Sequence, residues 1–313
     1  MARPSVHKNF RISGPKRYNY VCKFSKVNVQ FHQPHGPLKD LIEYIAFLSG
    51  NEIGNGIALQ RSNQVIIINV GSNFSVADIY TPSAAGNEVT DTVWINGKQE
   101  HSFFLRNPGT TSMYAIGMRL GMLPFVAGLP AIETNDIALG ADHWASAGFF
   151  ELREKLLACP NIRLGFGLIE DYLKDLLARR DLSGLDRVKW LSHSLGVHRV
   201  EELCRMLGVT RKQLRNEGRK YYGGSVREIQ GLLRFNYILG AIAQESGSEG
   251  SNGGRTLSAL HDYYDQAHFI HDFKGRTGIT PMQYRELCRQ FPAIRHTPNF
   301  LPMERETFLQ FIS

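Results

Sequence analysis

Five side chains that can bind nucleic acid lie along one predicted helix, residues 211–222. They lie on the side away from the predicted core residues Leu214 and Tyr221. They are Arg211, Lys212, Arg215, Asn216 and Arg219. Arginine and lysine can contact guanine O6 and N7, asparagine can contact adenine, and all three can bind phosphate. These residue types at this spacing predict a helix that reads DNA.

A second predicted helix, residues 266–277, has a similar polar side. Phe269 and Phe273 are one helical turn apart and are expected to anchor it in a core. The remaining polar side chains of this helix point toward solvent or a groove: Gln266, His268, His271 and Lys274. We predict that this helix also contacts DNA.

The elements that position these residues are short helices joined by tight turns. Gly208 suits the left-handed end of a helix over 200–207. Thr210 and Gln213 have the spacing of a capping box, which starts the next helix. A helix, a tight turn and a helix place the second helix in a major groove. Asp265 is the expected N-cap of the second polar helix.

Two motifs resemble those of the AraC/XylS family of bacterial transcription regulators. The family's C-terminal signature is resembled by Asp265-Gln-Ala-His-Phe-Ile-His-Asp-Phe-Lys274, Gly278-Ile-Thr-Pro281 and Tyr284. Its first motif is resembled by Gly208-Val-Thr210, Leu214 and Gly223-Gly-Ser225. The resemblance covers roughly residues 190–290. It implies two helix-turn-helix units, joined by a long helix over 226–244 and docked in successive major grooves.

The resemblance also implies a function and partners. The chain is expected to be a sequence-specific regulator that binds double-stranded DNA and works with RNA polymerase. Its N-terminal domain would sense a small-molecule effector, form a homodimer, or do both. Neither a cofactor nor catalytic residues are expected. Two alternatives stay open: an enzyme with a helical DNA-targeting module, and a degenerate regulator that binds a protein partner.

The chain departs from the family pattern at several positions. Gly218 stands where the first motif usually has a buried Phe or Leu. We expect a gap there that costs about 2–4 kcal/mol unless Tyr221 or Tyr222 fills it. The first unit should then be the less stable of the two. Val226 replaces the usual Pro, and His271 stands where an Arg is common.

Charge and composition agree with a nucleic-acid partner. The 313 residues are 42% hydrophobic and 21% charged, which excludes a wholly disordered, collagen-like or disulfide-scaffold protein. Residues 1–27 hold seven basic and no acidic residues, whereas residues 28–185 hold 11 basic and 16 acidic ones. Residues 187–240 hold 11 basic against four acidic. The basic segments suggest binding to a polyanion, and the acidic middle is a poor candidate for it.

The predicted fold class is α+β, with a β-rich sandwich or barrel-like domain followed by an all-α double helix-turn-helix domain. We place a basic flexible arm at 1–27, the β-rich sensor or dimerisation domain at 28–183, the DNA-binding domain at 184–291 and a tail at 292–313. Strands are predicted over 56–61, 65–70, 75–80, 92–95, 102–105 and 114–120. Helices are predicted over 148–158, 162–179, 200–207, 211–222, 226–244, 257–261, 266–277 and 281–291.

Other signals are weaker. His268 and His271 have a spacing that can bind metal, but no carboxylate or cysteine completes the set, so no metal site is predicted. Six aromatic residues could line an effector pocket or simply form a β-core: Trp94, Phe103, Phe104, Tyr114, Phe125 and Trp144. The four scattered cysteines form no CxxC pair, and residues 1–27 lack the apolar stretch of a secretory signal. We expect a cytoplasmic protein with no membrane partner.

Overall fold

The structure, a computed structural model, describes residues 27–51, 56–79, 87–89, 92–106, 109–144, 148–246, 266–295 and 297–312. Two antiparallel β-sheets form the N-terminal part, and helices dominate the C-terminal part. The predicted fold class is therefore confirmed. Residues 1–26 of the predicted basic arm, the predicted helix 257–261 and Asp265 lie outside the described residues. No helix in the described ranges is long and apolar enough to cross a membrane.

The strands are numbered in chain order. They are β1 (Val27–His32), β2 (Ile42–Asn51), β3 (Gly56–Ala58), β4 (Gln64–Asn69), β5 (Phe74–Asp78), β6 (Asn87–Val89), β7 (Val93–Asn96), β8 (Phe103–Arg106), β9 (Thr110–Met118), β10 (Ala138–Gly140) and β11 (Phe300–Leu301). One sheet has the order β1-β2-β9-β4-β7-β10, and the other has the order β11-β3-β8-β5-β6.

Strand β4 shows why its sequence is an unbroken apolar run. Successive side chains of a strand point to opposite faces. Ile66 and Ile68 enter the large core under the helices, whereas Val65 and Ile67 enter a small core on the other face. Because both faces of this strand are covered, hydrophobic residues are needed at consecutive positions.

The helices are also numbered in chain order. They are α1 (Leu123–Ala127), α2 (Gly148–Leu157), α3 (Ile162–Leu177), α4 (Leu185–Ser194), α5 (Val200–Leu207), α6 (Arg211–Tyr222), α7 (Val226–Glu245), α8 (Gln266–Thr277), α9 (Pro281–Gln290) and α10 (Arg305–Ile312).

The helical part shares its cores with the sheets. One core joins Ile42 and Ile116 of the first sheet to Leu214 of α6. Another joins Ile57 and Phe104 of the second sheet to helices of the C-terminal part. The C-terminal strand β11 pairs with β3 at the edge of the second sheet. The helices therefore bury their apolar sides against the β-rich part as well as against each other.

Most predicted elements are present, with small differences at their ends. The six predicted strands correspond to β3, β4, β5, β7, β8 and β9. Strands β1, β2, β6, β10 and β11 and helices α1, α4 and α10 were missed. Strand β2 has an irregular register between Ile42 and Tyr44, which breaks the alternation of side chains that would have revealed it. Strand β11 has only two residues, too few for any periodic pattern.

Candidate nucleic-acid interface

Helices α5 and α6 form a helix-turn-helix whose turn is built as the sequence predicts. Gly208 ends α5 in the left-handed conformation, with φ of 65°. The Gln213 amide donates to the Thr210 hydroxyl at 3.2 Å, and the Gln213 side-chain oxygen accepts from the Thr210 amide at 2.8 Å. This capping box fixes where α6 begins and therefore which of its residues face outward.

Helix α6 has one buried side and one exposed side. Leu214 and Tyr222 are each 1% exposed. Tyr221, predicted to face inward, is only partly buried. The five predicted DNA-contacting residues of this helix are all exposed: Arg211, Lys212, Arg215, Asn216 and Arg219.

One acidic residue offsets part of the positive charge on this exposed side. The Arg211 guanidinium lies 2.9 Å from a carboxylate oxygen of Glu201 on α5. Among the described residues, no carboxylate pairs with Lys212, Arg215 or Arg219. These three cations are therefore available to phosphate or base edges, whereas Arg211 has to leave an ion pair first.

Helix α8 repeats this arrangement. Phe269 and Phe273 are 5% and 1% exposed, and their rings meet edge to face at 5.7 Å. The four residues predicted to contact DNA are exposed: Gln266, His268, His271 and Lys274. The segment before α8 lies outside the described residues, so this unit is described from α8 onward.

The two units share one local plan. Each polar helix ends at a left-handed glycine, Gly223 after α6 (φ of 78°) and Gly278 after α8 (φ of 81°). A capping box then starts the following helix, formed by Ser225 with Glu228 and by Thr280 with Gln283. The paired positions on the two helices are Leu214 and Phe269, Gly218 and Phe273, Asn216 and His271, and Arg219 and Lys274.

The expected gap at Gly218 is absent. A Cβ at this position would lie 2.5 Å from the Gly224 carbonyl oxygen and 3.1 Å from the Val226 amide nitrogen. The turn after α6 therefore occupies the space that Phe273 fills in the second unit. Our prediction of a packing defect was wrong, because the backbone itself closes the space. The expectation of a less stable first unit loses its physical basis.

The C-terminal end of α6 is anchored to the β-rich part. The Asn135 side-chain amide donates to the Gly223 carbonyl at 2.6 Å. The Tyr221 ring stacks on Phe125, with ring centroids 5.7 Å apart. Burial raises the pKa of Tyr222, so its hydroxyl stays protonated and can donate to the Val188 carbonyl.

The C-terminal end of α8 is anchored in the same way, through Arg276. Its guanidinium pairs with Asp272 at 3.0 Å and donates to the Gln60 side-chain oxygen at 3.0 Å. It also lies over the Phe235 ring, 5.5 Å from the centroid. Both polar helices are thus held at their C-terminal ends, whereas their N-terminal residues face solvent.

The aromatic residues considered for an effector pocket are mostly core residues. Trp94, Phe104, Tyr114 and Phe125 are buried in three different cores. Trp144 alone among the six lines a surface depression of about 360 Å³ in the described part of the chain. The other lining residues are Ala127, Gly128, Leu129, Glu133, Leu139 and His143.

Comparisons with known proteins give little further information. No family and no curated protein matches the chain. The apo form of a ToxT variant from Vibrio cholerae strain SCE256 is 14% identical, with 77% of this chain and 97% of that chain covered and a TM-score of 0.42. The unsaturated fatty acid-bound wild-type ToxT of that strain is 12% identical, with 86% and 97% covered and a TM-score of 0.38. Values this low assign neither a family nor a function.

Proposed function

We propose that this chain is a sequence-specific DNA-binding transcription regulator of the AraC/XylS type. One observation carries the proposal. Helices α6 and α8 follow the same local plan, and both leave the predicted DNA-contacting residues exposed above a buried apolar side. The alternatives, an enzyme or a regulator that binds only proteins, would not require this repeated pattern.

The mechanism is recognition without covalent chemistry. Lys212, Arg219 and Lys274 supply contacts to phosphate, and these make the affinity salt-dependent through counterion release. Arg215 and Gln266 supply contacts to base edges, since arginine pairs with guanine and glutamine with adenine. The phosphate contacts fix the position on the duplex, and the base contacts choose the sequence.

An effector would act through the anchor of α6. The depression beside Trp144 also includes Ala127 and Glu133. It borders the short turn Ala131–Thr134, next to the Asn135 contact with Gly223. A ligand can shift the equilibrium only if its affinity differs between two conformations of this turn. Such a ligand would also shift the population of α6 orientations, because the turn contacts the end of α6. Homodimerisation and contact with RNA polymerase stay predictions.

The test is DNA binding by the full chain, because the helices share cores with the sheets. Fluorescence anisotropy against duplexes selected from a random pool is measured over a salt series. Log affinity should fall linearly with log salt, with a slope that reflects several phosphate contacts. Arg215→Ala should lose discrimination at one base pair, whereas Arg163→Ala, an exposed arginine on α3, should change nothing. Absence of any salt-dependent binding would refute the proposal.

A further inference from the structure

Three side chains of types that can bind metal meet on the N-terminal part, and none of them belongs to the polar helices. His32 ends strand β1, His35 precedes the short turn Gly36–Asp40, and Glu170 lies on α3. One nitrogen of each imidazole and a carboxylate oxygen all lie within 4.8 Å of one another. This group could not be recognised from the sequence, since 138 residues separate His32 from Glu170.

The distances match the spacing of donors around one cation. The Glu170 Oε1 atom lies 3.0 Å from His32 Nε2 and 3.5 Å from His35 Nδ1. Donors about 2.0–2.1 Å from a tetrahedral Zn²⁺ lie about 3.4 Å apart. Two of the three donor pairs are therefore near this spacing, and the third pair, the two imidazole nitrogens, lies within 4.8 Å. Rotation of the exposed His35 side chain would bring its nitrogen to the same ion.

The carboxylate is held ready for this role. Glu170 has only 11% of its side chain exposed, and the His35 amide donates to its Oε1 atom at 3.0 Å. Its Oε1 atom is therefore fixed beside both imidazoles, where a shared cation would lie.

The surroundings fix one histidine and leave the other accessible. The His32 ring stacks on Phe166, with centroids 5.2 Å apart and an interplanar angle of 14°. His35 is 79% exposed, which gives an ion a path from solvent. One neighbour opposes a cation. Lys174 Nζ lies 3.5 Å from Glu170 Oε2, but it also pairs with Asp171 at 3.1 Å and can stay with that residue.

We propose that His32, His35 and Glu170 form a binding site for a divalent transition-metal ion of the Zn²⁺ type. Two imidazoles and one carboxylate leave a fourth tetrahedral position for water or an incoming ligand. A bound ion would tie the edge strand β1 of the first sheet to helix α3. The site stands independently of DNA binding, because none of its residues belongs to α6 or α8.

The experiment uses the tag-free full chain, freed of metal with a chelator and titrated with Co²⁺ and then Zn²⁺. We expect one ion per chain, a visible absorption of tetrahedral Co²⁺, and loss of that absorption when Zn²⁺ displaces it. His35→Ala and Glu170→Gln should each weaken the affinity for the metal ion by about tenfold or more. Loss of a residue that only hydrogen-bonds to a metal ligand already has an effect of this size. Lys174→Gln should strengthen affinity, because it removes an adjacent positive charge.

A matched control is His101→Ala. His101 is an exposed histidine whose ring lies 3.5 Å from the Asp136 carboxylate, without a third donor in the described residues. This variant should bind metal like the original chain. Circular dichroism checks that each variant is folded, and His35 is exposed enough for its loss to leave the fold intact. The proposal is overturned if no stoichiometric ion binds, or if His35→Ala and Glu170→Gln bind as tightly as the original chain.

Discussion

Replacing Gly218 by alanine tests how the first helix-turn-helix unit is packed. The new Cβ would lie 2.5 Å from the Gly224 carbonyl oxygen and 3.1 Å from the Val226 amide nitrogen. Both atoms belong to backbone, so neither can rotate away as a flexible side chain could. The Gly224 amide also donates to the Gly218 carbonyl at 3.3 Å, which holds the turn against the helix at this point.

Two opposing effects set the magnitude. Alanine inside a helix is about 1 kcal/mol more favourable than glycine. Overpacking a filled site costs about 1–3 kcal/mol, and contacts with rigid backbone belong in the upper part of that range. We expect Gly218→Ala to lower the free energy of unfolding by about 1–2 kcal/mol. Gly240 on α7 is a matched control, because an added Cβ there meets no atom within 4 Å outside its own helix.

The assay is thermal and urea denaturation of the full chain, followed by circular dichroism. Gly218→Ala should lower Tm by about 2–8 °C, at the roughly 2–4 °C per kcal/mol that is typical of domains of about 150–250 residues. Gly240→Ala should raise Tm slightly, since only the helix propensity changes. If Gly218→Ala stabilised the protein as much as Gly240→Ala, the turn would not occupy this space and the packing argument would be wrong.

Three further predictions concern the interface and the cysteines. Arg215→Ala should cost about 1–3 kcal/mol at one base pair only, whereas Lys274→Ala should weaken all duplexes alike, as measured by anisotropy on single-base variants. Glu201→Gln should release Arg211 from its ion pair and add about one to the number of counterions released on DNA binding, which steepens the slope of log affinity against log salt. An unchanged slope would count against a role for Arg211. Burial raises the pKa of Cys288 to about 11, so this thiol should resist maleimide in the folded protein at pH 8 and react only after unfolding, as mass spectrometry would reveal.

Several features of the interface could be predicted from the sequence because they depend on neighbours along the chain. The bounds of α5 and α6 agree with the predicted ranges, since Gly208 and Thr210 act within one helical turn. The buried positions Phe269 and Phe273 follow from their spacing on α8. The same spacing put the predicted DNA-contacting residues on the exposed side of each helix.

Other features could not be predicted, because they depend on contacts between distant segments. Nothing near Gly218 in the sequence says that the turn at Gly224 folds back against it. Likewise, the two residues of β11 become a strand only because β3 offers a free edge.

The sequence by itself determined the bounds of α5 and α6 and which sides of α6 and α8 are polar, since side chains three or four residues apart share a face of a helix and caps act locally. Only the tertiary structure decided how these helices are held. It placed Tyr221 on Phe125 and Arg276 on Gln60, and it brought Glu170 to within hydrogen-bond distance of His32. Such contacts join residues that are far apart in the chain, and they form only when the sheets and the helices pack into shared cores.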